Sequence, residues 1–274
     1  MVFLRILQKA WLRKKLLEAN YIIFSRIDAT ATAKAPMFFS PPRNLRPELL
    51  DLDEAPFEEV RDSLEDVRLV NKYLSGYKVL LHYIRNFLKN HPLDKEFSIL
   101  DLATGSADQP IAVVNMARQL NIRIRIVALD INSKMLNYAQ EETRSYPEIN
   151  LVQGDIHSPP FGKDSFDLVI NSLSLHHFTR DQAINILRMA DFMGRCGFII
   201  NDLHRSRVAH VSIYLITRLL TKNRLTRYDA PVSVMNAFTP SEMTAMAQEA
   251  GVKYFEVNRH FPYRIGLVGT KINQ

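Results

Sequence analysis

Cysteine occurs once in the 274 residues, as Cys196. An intrachain disulfide and a cysteine-built metal cluster are thereby excluded, and the usage suits a reducing compartment. The apolar flank of Cys196 predicts a core thiol rather than a nucleophile. No H-E-x-x-H and no Cys/His ligand spacing occurs, so no metal site is expected. No Tyr-x-x-x-Lys pair and no G-x-G-x-x-G turn occurs, which removes nicotinamide-dependent oxidoreductases of the short-chain type. No apolar run is long enough to span a bilayer. No signal-peptide core with a small-residue cleavage site opens the chain. Internal repeats and low-complexity tracts are absent, and the length allows one large α/β domain or two small ones.

Positive charge is scarce where a nucleic-acid binder would need it. The formal net charge is +6. Residues 1–47 hold nine cations (Arg5, Lys9, Arg13, Lys14, Lys15, Arg26, Lys34, Arg43, Arg46) against Glu18 and Asp28, and residues 48–274 are close to neutral. The body thus lacks the basic face that phosphate backbones require, and no nucleic-acid partner is expected. Val2, Phe3, Ile6, Leu7, Trp11, Leu12 and Leu16 recur at helical spacing, so residues 2–24 read as a basic amphipathic helix. Three readings fit it: a helix lying on a membrane surface, a transit-like presequence, or an upstream stretch with Met37 the real beginning, which we prefer. A helix packed on its own domain is the plain alternative. The division expected is a leader and linker over 1–42 and a domain over 43–274. The location expected is cytoplasmic, with peripheral membrane contact through residues 2–24.

Residues 36–56 are proline-rich and loop-like. Two helices follow, at about 57–75 and 77–90, parted at Ser75-Gly76. Strands near 97–102, 123–129, 149–153, 166–171 and 196–201 then alternate with helices near 109–120, 132–146 and 180–193. This spacing implies parallel strands with crossover helices on both faces. Thr179 with Gln182, and Thr239 with Glu242, form capping-box patterns. Strands near 252–258 and 264–270 close the chain. Residues 203–238 interrupt the alternation. Val208, Val211, Leu215 and Leu219, widened by Ile216, make an apolar stripe along them. Insertions after carboxyl strand ends sit over the ligand crevice in open α/β sheets, so this one reads as a lid or, more plainly, as a buried helix.

The chain is organised around residues 97–108, FSILDLATGSAD. A buried strand runs into a small-residue turn and a helix, with Asp108 as candidate N-cap and Pro110 just inside. This resembles motif I of the class I S-adenosylmethionine-dependent methyltransferases, an acid followed by three alternate glycines. Asp101 fills the acidic position and Gly105 the middle glycine, while Ala103 and Ala107 replace the outer two. The resemblance implies a Rossmann-like seven-stranded sheet, parallel with an antiparallel last strand, and S-adenosyl-L-methionine as cofactor. Asp130, at the tip of the second strand with Ile131 beside it, is placed to accept hydrogen bonds from ribose hydroxyls; capping the next helix is a role Asn132 can fill. The resemblance puts Asp155 on the adenine amino group, with the backbone N–H of Ile156 next to it. Ser158-Pro159-Pro160-Phe161 precedes the fourth strand, where it is turn chemistry.

After the fourth strand comes Asn171-Ser172-Leu173-Ser174-Leu175-His176-His177-Phe178, which the resemblance makes the wall of the transfer site, with Asn171 at its cofactor side. Imidazole titrates near neutral pH, so His176 or His177 is the first candidate base and His204 the second. Structural packing of one histidine is the bland reading, as is capping by Ser206 for the Asp202–Ser206 cluster. Val70–Leu74, Asn201–Ser206 and Ala237–Thr239 are similar to the branch that includes ubiquinone/menaquinone and polyketide-tailoring methyltransferases. That likeness implies a small apolar aromatic, quinol or polyketide-like acceptor. The alternative is a non-catalytic module that keeps the fold for binding or assembly.

Overall fold

A computed structural model describes residues 40–271 apart from positions 53, 90 and 93. The helix expected over 2–24 and the start at Met37 lie outside the described residues. Helices α1 (Phe57–Tyr73) and α2 (Gly76–Leu88) come first. They part where expected, with Ser75 left-handed at φ 63°. A Cβ on Gly76 would stand 2.7 Å from Asn71 Oδ1, so only glycine lets the two helices meet this closely.

The sheet follows as β1 (Phe97–Leu102), α3 (Asp108–Gln119), β2 (Ile124–Asp130), α4 (Ser133–Glu142), β3 (Ile149–Gln153), β4 (Phe166–Ser172), a 3₁₀ turn (Leu175–His177), α5 (Arg180–Met193) and β5 (Gly194–Leu203). Helices α6 (Arg207–Leu220), α7 (Arg224–Asn236) and α8 (Pro240–Glu249) lead to β6 (Tyr254–His260) and β7 (Arg264–Thr270). Strand order is β3-β2-β1-β4-β5-β7-β6. β1 to β5 pair in parallel, and β7 slots antiparallel between β5 and β6. The order reverses between β1 and β4, which opens a crevice at their carboxyl ends. Helices cover both faces, so the central strands β1 and β4 are buried almost throughout. Leu100, Leu102 and Val169 pack on the α5–α8 side, and Ile99, Leu168 and Ile170 on the α2–α3 side.

Both capping boxes form, and Asn132 caps α4 by accepting from the N–H groups of Lys134 and Met135. Three expectations are corrected. Asp108 does not cap α3: Ala107 holds that position, and the Asp108 carboxylate, one residue in, accepts from Tyr77 Oη at 2.8 Å and Asn71 Nδ2 at 3.1 Å. An acid in the first turn still complements the helix dipole. Cys196 is exposed rather than core, because the β4–β5 ladder slips between Phe166 and Leu168 and turns the start of β5 outward. The stripe read along the insertion is not the inward face: Val211, Leu215 and Leu219 are exposed, while Ala209 and Ile213 are buried.

Candidate active site

A cavity of about 570 Å³ lies over the carboxyl ends of β1, β2, β4 and β5. Gly105 and Asp130 line one end of it, His176 and His177 the other, and α6 covers it with Ser212, Ile213 and Ile216. Residues of the insertion thus line the cavity.

At the first end, Ala103, Gly105 and Ala107 all take left-handed backbone, at φ 56°, 56° and 57°. This is the alternation the motif needs, and two of the three positions carry it without glycine. Nothing lies within 4 Å of where a Gly105 Cβ would be, so the turn faces open space. The Gly105 N–H donates to Asp130 Oδ2 at 2.7 Å and the Asn132 N–H to Oδ1 at 2.9 Å. Burial pushes the Asp130 carboxyl up, against those two donors. Ile131 is 65% exposed at the cavity lip. Asp101 sits behind the turn, fully buried and outside the lining; burial carries its carboxyl up to about 8, with a Thr104 hydrogen bond opposing. Ala107 is buried in the same layer. Asn171 is also interior, donating to the Leu102 carbonyl at 2.8 Å and to Ser174 Oγ, which ties β4 to β1. Asp155 and Ile156 do not line the cavity. Asp155 is exposed and accepts from the His157 N–H at 2.8 Å, and the Ile156 side chain is in the core. Their loop is nonetheless tied to the Asp130 loop by Gly154 N–H donating to the Asp130 carbonyl at 2.9 Å.

At the other end the 3₁₀ turn brings His176 and His177 ring to ring, with centroids 4.4 Å apart. His176 is buried: Nδ1 stands 2.6 Å from Asp202 Oδ1, and Nε2 is 3.5 Å from Glu48 Oε1. Burial alone would lower the His176 pKa, but the carboxylates of Asp202 and Glu48 outweigh it and hold it at about 10. It is an imidazolium at neutral pH. Reciprocally, His176 keeps both carboxyls below their usual range despite burial. His177 is half-buried; Nδ1 stands 2.8 Å from Asp51 Oδ2, and Nε2 is 3.9 Å from Glu48 Oε1. His204 does not join them. Burial with Arg259 and Arg205 nearby depresses it to about 4, and it lies outside the lining.

Glu48, Asp51 and Arg264 also belong to the lining, and no sequence motif marks them. Residues 36–56 read as loop in sequence, yet residues 40–52 form a strap against the cavity, with Glu48, Leu50 and Asp51 in its lining. Arg43 Nη2 donates to the carbonyls of His176 and Phe178 at 3.0 and 2.7 Å, and its guanidinium lies 3.7 Å over the Phe238 ring. The N–H groups of Leu49 and Leu50 donate to the Asp229 carboxylate on α7 at 2.7 and 3.2 Å. Glu48 accepts from Ser233 Oγ at 2.6 Å. No local motif marks these partners, since their meaning comes from the long-range fold. Ligand atoms of Glu48, His176 and His177 lie within 4.8 Å of one another, a donor set that could also hold a divalent cation.

A family model described as a methyltransferase domain matches residues 99–192, from β1 through the histidine turn to the end of α5. These residues carry a methyltransferase domain, and the fold around them is that of S-adenosylmethionine-dependent methyltransferases. Over 184 residues the chain is 25% identical to 2-phytyl-1,4-naphtoquinone methyltransferase of Thermosynechococcus vestitus, across 64% of this chain and 79% of that one. Over 93 residues it is 29% identical to demethylmenaquinone methyltransferase of Staphylococcus carnosus, across 34% of this chain but only 37% of that relative's length. Among solved structures, the CurJ carbon methyltransferase superimposes with a TM-score of 0.55 at 14% identity, over 74% of this chain and 55% of that one. The citrinin polyketide synthase CMeT domain does so at 0.55 and 10% identity, over 70% and 51%. At these identities the likeness is one of fold.

The site fits S-adenosylmethionine on its own geometry. Open space above a left-handed glycine admits a ligand against the backbone. A carboxylate at the tip of β2 suits ribose hydroxyls. Arg264, 2% exposed, lines the cavity, donates through Nη2 to Asn71 Oδ1 at 3.2 Å, and has no partner for Nη1 among the described residues. A buried guanidinium with a free donor suits the carboxylate of an amino-acid moiety.

Proposed function

We propose that this methyltransferase transfers the methyl group of S-adenosylmethionine to a small, apolar, ring-containing acceptor with an acidic hydroxyl: a phenol, quinol or polyketide-like enol. The observation that carries the reading is the His177–Asp51 pair and the His176 imidazolium facing one apolar cavity beside the Gly105–Asp130 turn. The cofactor supplies a methyl group already activated by its sulfonium. The protein's part is alignment, exclusion of water and handling of one proton. His177 Nε2 takes the acceptor's hydroxyl proton, while Asp51 accepts from Nδ1 and fixes the ring. The His176 imidazolium, held between Asp202 and Glu48, stabilises the anion that develops. Bound against the Gly105–Asp130 turn, the cofactor would offer that methyl group to the acceptor's carbon or oxygen, and the proton would stay on His177. A module retained only for binding needs no such pair at the cavity wall.

The cofactor end is held by Gly105, Asp130, Ile131 and Arg264, with Asp101, Ala103 and Ala107 shaping the turn and Asn171 anchoring its floor. Asp155 and the Ile156 N–H flank the adenine end through the loop tied to Asp130. Arg264→Gln is expected to weaken S-adenosylmethionine binding about tenfold or more, as for one charge-assisted hydrogen bond lost. Methylthioadenosine, which lacks the amino-acid part, should bind wild type and variant alike in calorimetry. An equal loss for both ligands would remove Arg264 from the carboxylate.

The acceptor class is tested by offering phenols, naphthoquinols and polyketide-like enols beside tRNA and bulk protein, with labelled cofactor. Methylation of ring-containing small molecules alone is expected. Robust RNA methylation with silence on every small molecule would sink the proposal. The relatives named for naphthoquinone and menaquinone support the quinol arm.

A further inference from the structure

Helix α6 has two faces of different use. Ala209, Ser212, Ile213 and Ile216 line the cavity. On the outer side Val211, Tyr214, Leu215 and Leu219 are 55%, 42%, 54% and 81% exposed. Four large apolar side chains on fourteen residues of one exposed helix form a patch that calls for a partner. Charge narrows the choice. Residues 203–228 contain six arginines and lysines and no aspartate or glutamate, although residues 48–274 as a whole are close to neutral. Arg207, Arg218, Lys222 and Arg224 are exposed around the apolar residues. The Arg218 guanidinium lies 3.5 Å over the Tyr214 ring, and Arg224 bridges to Glu59 at 2.8 Å.

We propose that this outer face of α6 docks on the surface of an anionic lipid bilayer. The leucines and valine would enter the acyl boundary, Tyr214 would sit at the headgroup level, and the cations would meet lipid phosphates. Fourteen residues are too few to span a bilayer, so the helix lies in the interface plane. Among the described residues no helix is long and apolar enough to cross a membrane. A second copy of this chain is a poor match, because a twofold contact would set cation against cation with no acid on the patch. Nucleic acid is also poor, since the centre of the face is leucine. The geometry gives the docking a purpose: the same helix roofs the cavity, so a bilayer-dissolved acceptor meets the site beneath it.

The test is co-sedimentation of the full chain with phosphatidylcholine vesicles, plain or enriched in phosphatidylglycerol. The wild-type protein should pellet with the anionic vesicles, less so at high salt, and not with the plain ones. Leu215→Glu/Leu219→Glu and Arg207→Glu/Lys222→Glu should each cut the bound fraction about tenfold. None of the four residues lines the cavity, so melting temperature and cofactor affinity should stay as in wild type. Three results overturn the proposal: no wild-type binding to anionic vesicles; binding unaltered by both double variants, which assigns it to another surface such as residues 2–24; or a solution dimer lost in Leu215→Glu/Leu219→Glu while vesicle binding persists. Each readout is independent of methyl transfer, so failure of the acceptor assay leaves this test standing.

Discussion

Asp202→Ala should destabilise the fold by about 3–5 kcal/mol, the cost of stripping one partner from a buried ion pair. Asp202 is fully buried, and its two oxygens receive His176 Nδ1 at 2.6 Å, the His176 N–H at 2.9 Å and the Leu203 N–H at 2.7 Å. Without it the imidazolium retains only Glu48, at 3.5 Å. Asp202→Asn keeps the volume but loses the charge, so its cost should fall between wild type and alanine. The pH dependence fixes the cause. His176 has a folded pKa of about 10, above the about 6.5 of a free imidazole. Its contribution is therefore complete below about 6.5, wanes above it, and is gone once pH passes about 10. Asp202 and Glu48 are shifted the other way, so their contribution is present above the ordinary carboxylate range and is lost in acid. Urea unfolding at pH 6, 8 and 10 should show the wild-type advantage over Asp202→Ala shrinking toward alkaline pH. A gap that stays constant would mean that His176 is neutral in the fold.

His177→Gln should lower kcat by about 10²–10⁴ with cofactor affinity unchanged, the range for loss of a positioned general base. His177 is the imidazole that lines the cavity outside the Asp202–Glu48 clamp, and Asp51 orients it at 2.8 Å. Asp51→Asn should cost less, because Asp51 positions the ring and does not touch the acceptor. The decisive comparison uses acceptors of different acidity. A nitrophenol already ionised at the assay pH has no proton to give, so the variant should recover most of the rate on it. An equal loss on ionised and un-ionised phenols would show that His177 shapes the pocket and moves no proton.

The sheet was legible because its signals are local. Asp101, Gly105 and Asp130 stand at fixed distances from strand ends, and the capping boxes at Thr179 and Thr239 announce two helix starts. Binary patterning also places β4, whose residues 166–171 are buried on both faces. The active site was half legible. His176 and His177 follow β4 immediately, so their place in the crevice is set by sequence neighbourhood. Which is cation and which is base depends on Asp202, Glu48 and Asp51, and the last two come from 125 or more positions upstream. Proline-rich composition reads as linker regardless of what the segment lies against. The stripe on α6 failed for a related reason. Helical periodicity shows that Val211, Leu215 and Leu219 share a side, but not which side meets the core, and here the smaller Ala209 and Ser212 with Ile213 face inward. His204 is the second candidate by type, and its place outside the cavity lining sets it apart from the paired histidines.

The strap of residues 40–52 separates two kinds of inheritance within one pocket. Gly105, Asp130, Ile131 and the histidine turn come from the stretch matched by the family model, residues 99–192, whereas Arg264 and the Asn71 that holds it do not. The groups that contact the histidines (Glu48, Asp51, Asp202) and the two helices that line the cavity above them all come from outside it. If the proposed acceptor end is right, the residues that bind the cofactor and those that select the acceptor lie on different lengths of chain that meet only in the folded state. A chimera that exchanges the strap and the α6–α7 pair together, leaving the sheet intact, should therefore change its acceptor without relearning its cofactor. Exchanging either piece alone should break the Leu49–Asp229 and Glu48–Ser233 joints and leave a pocket that fits neither acceptor.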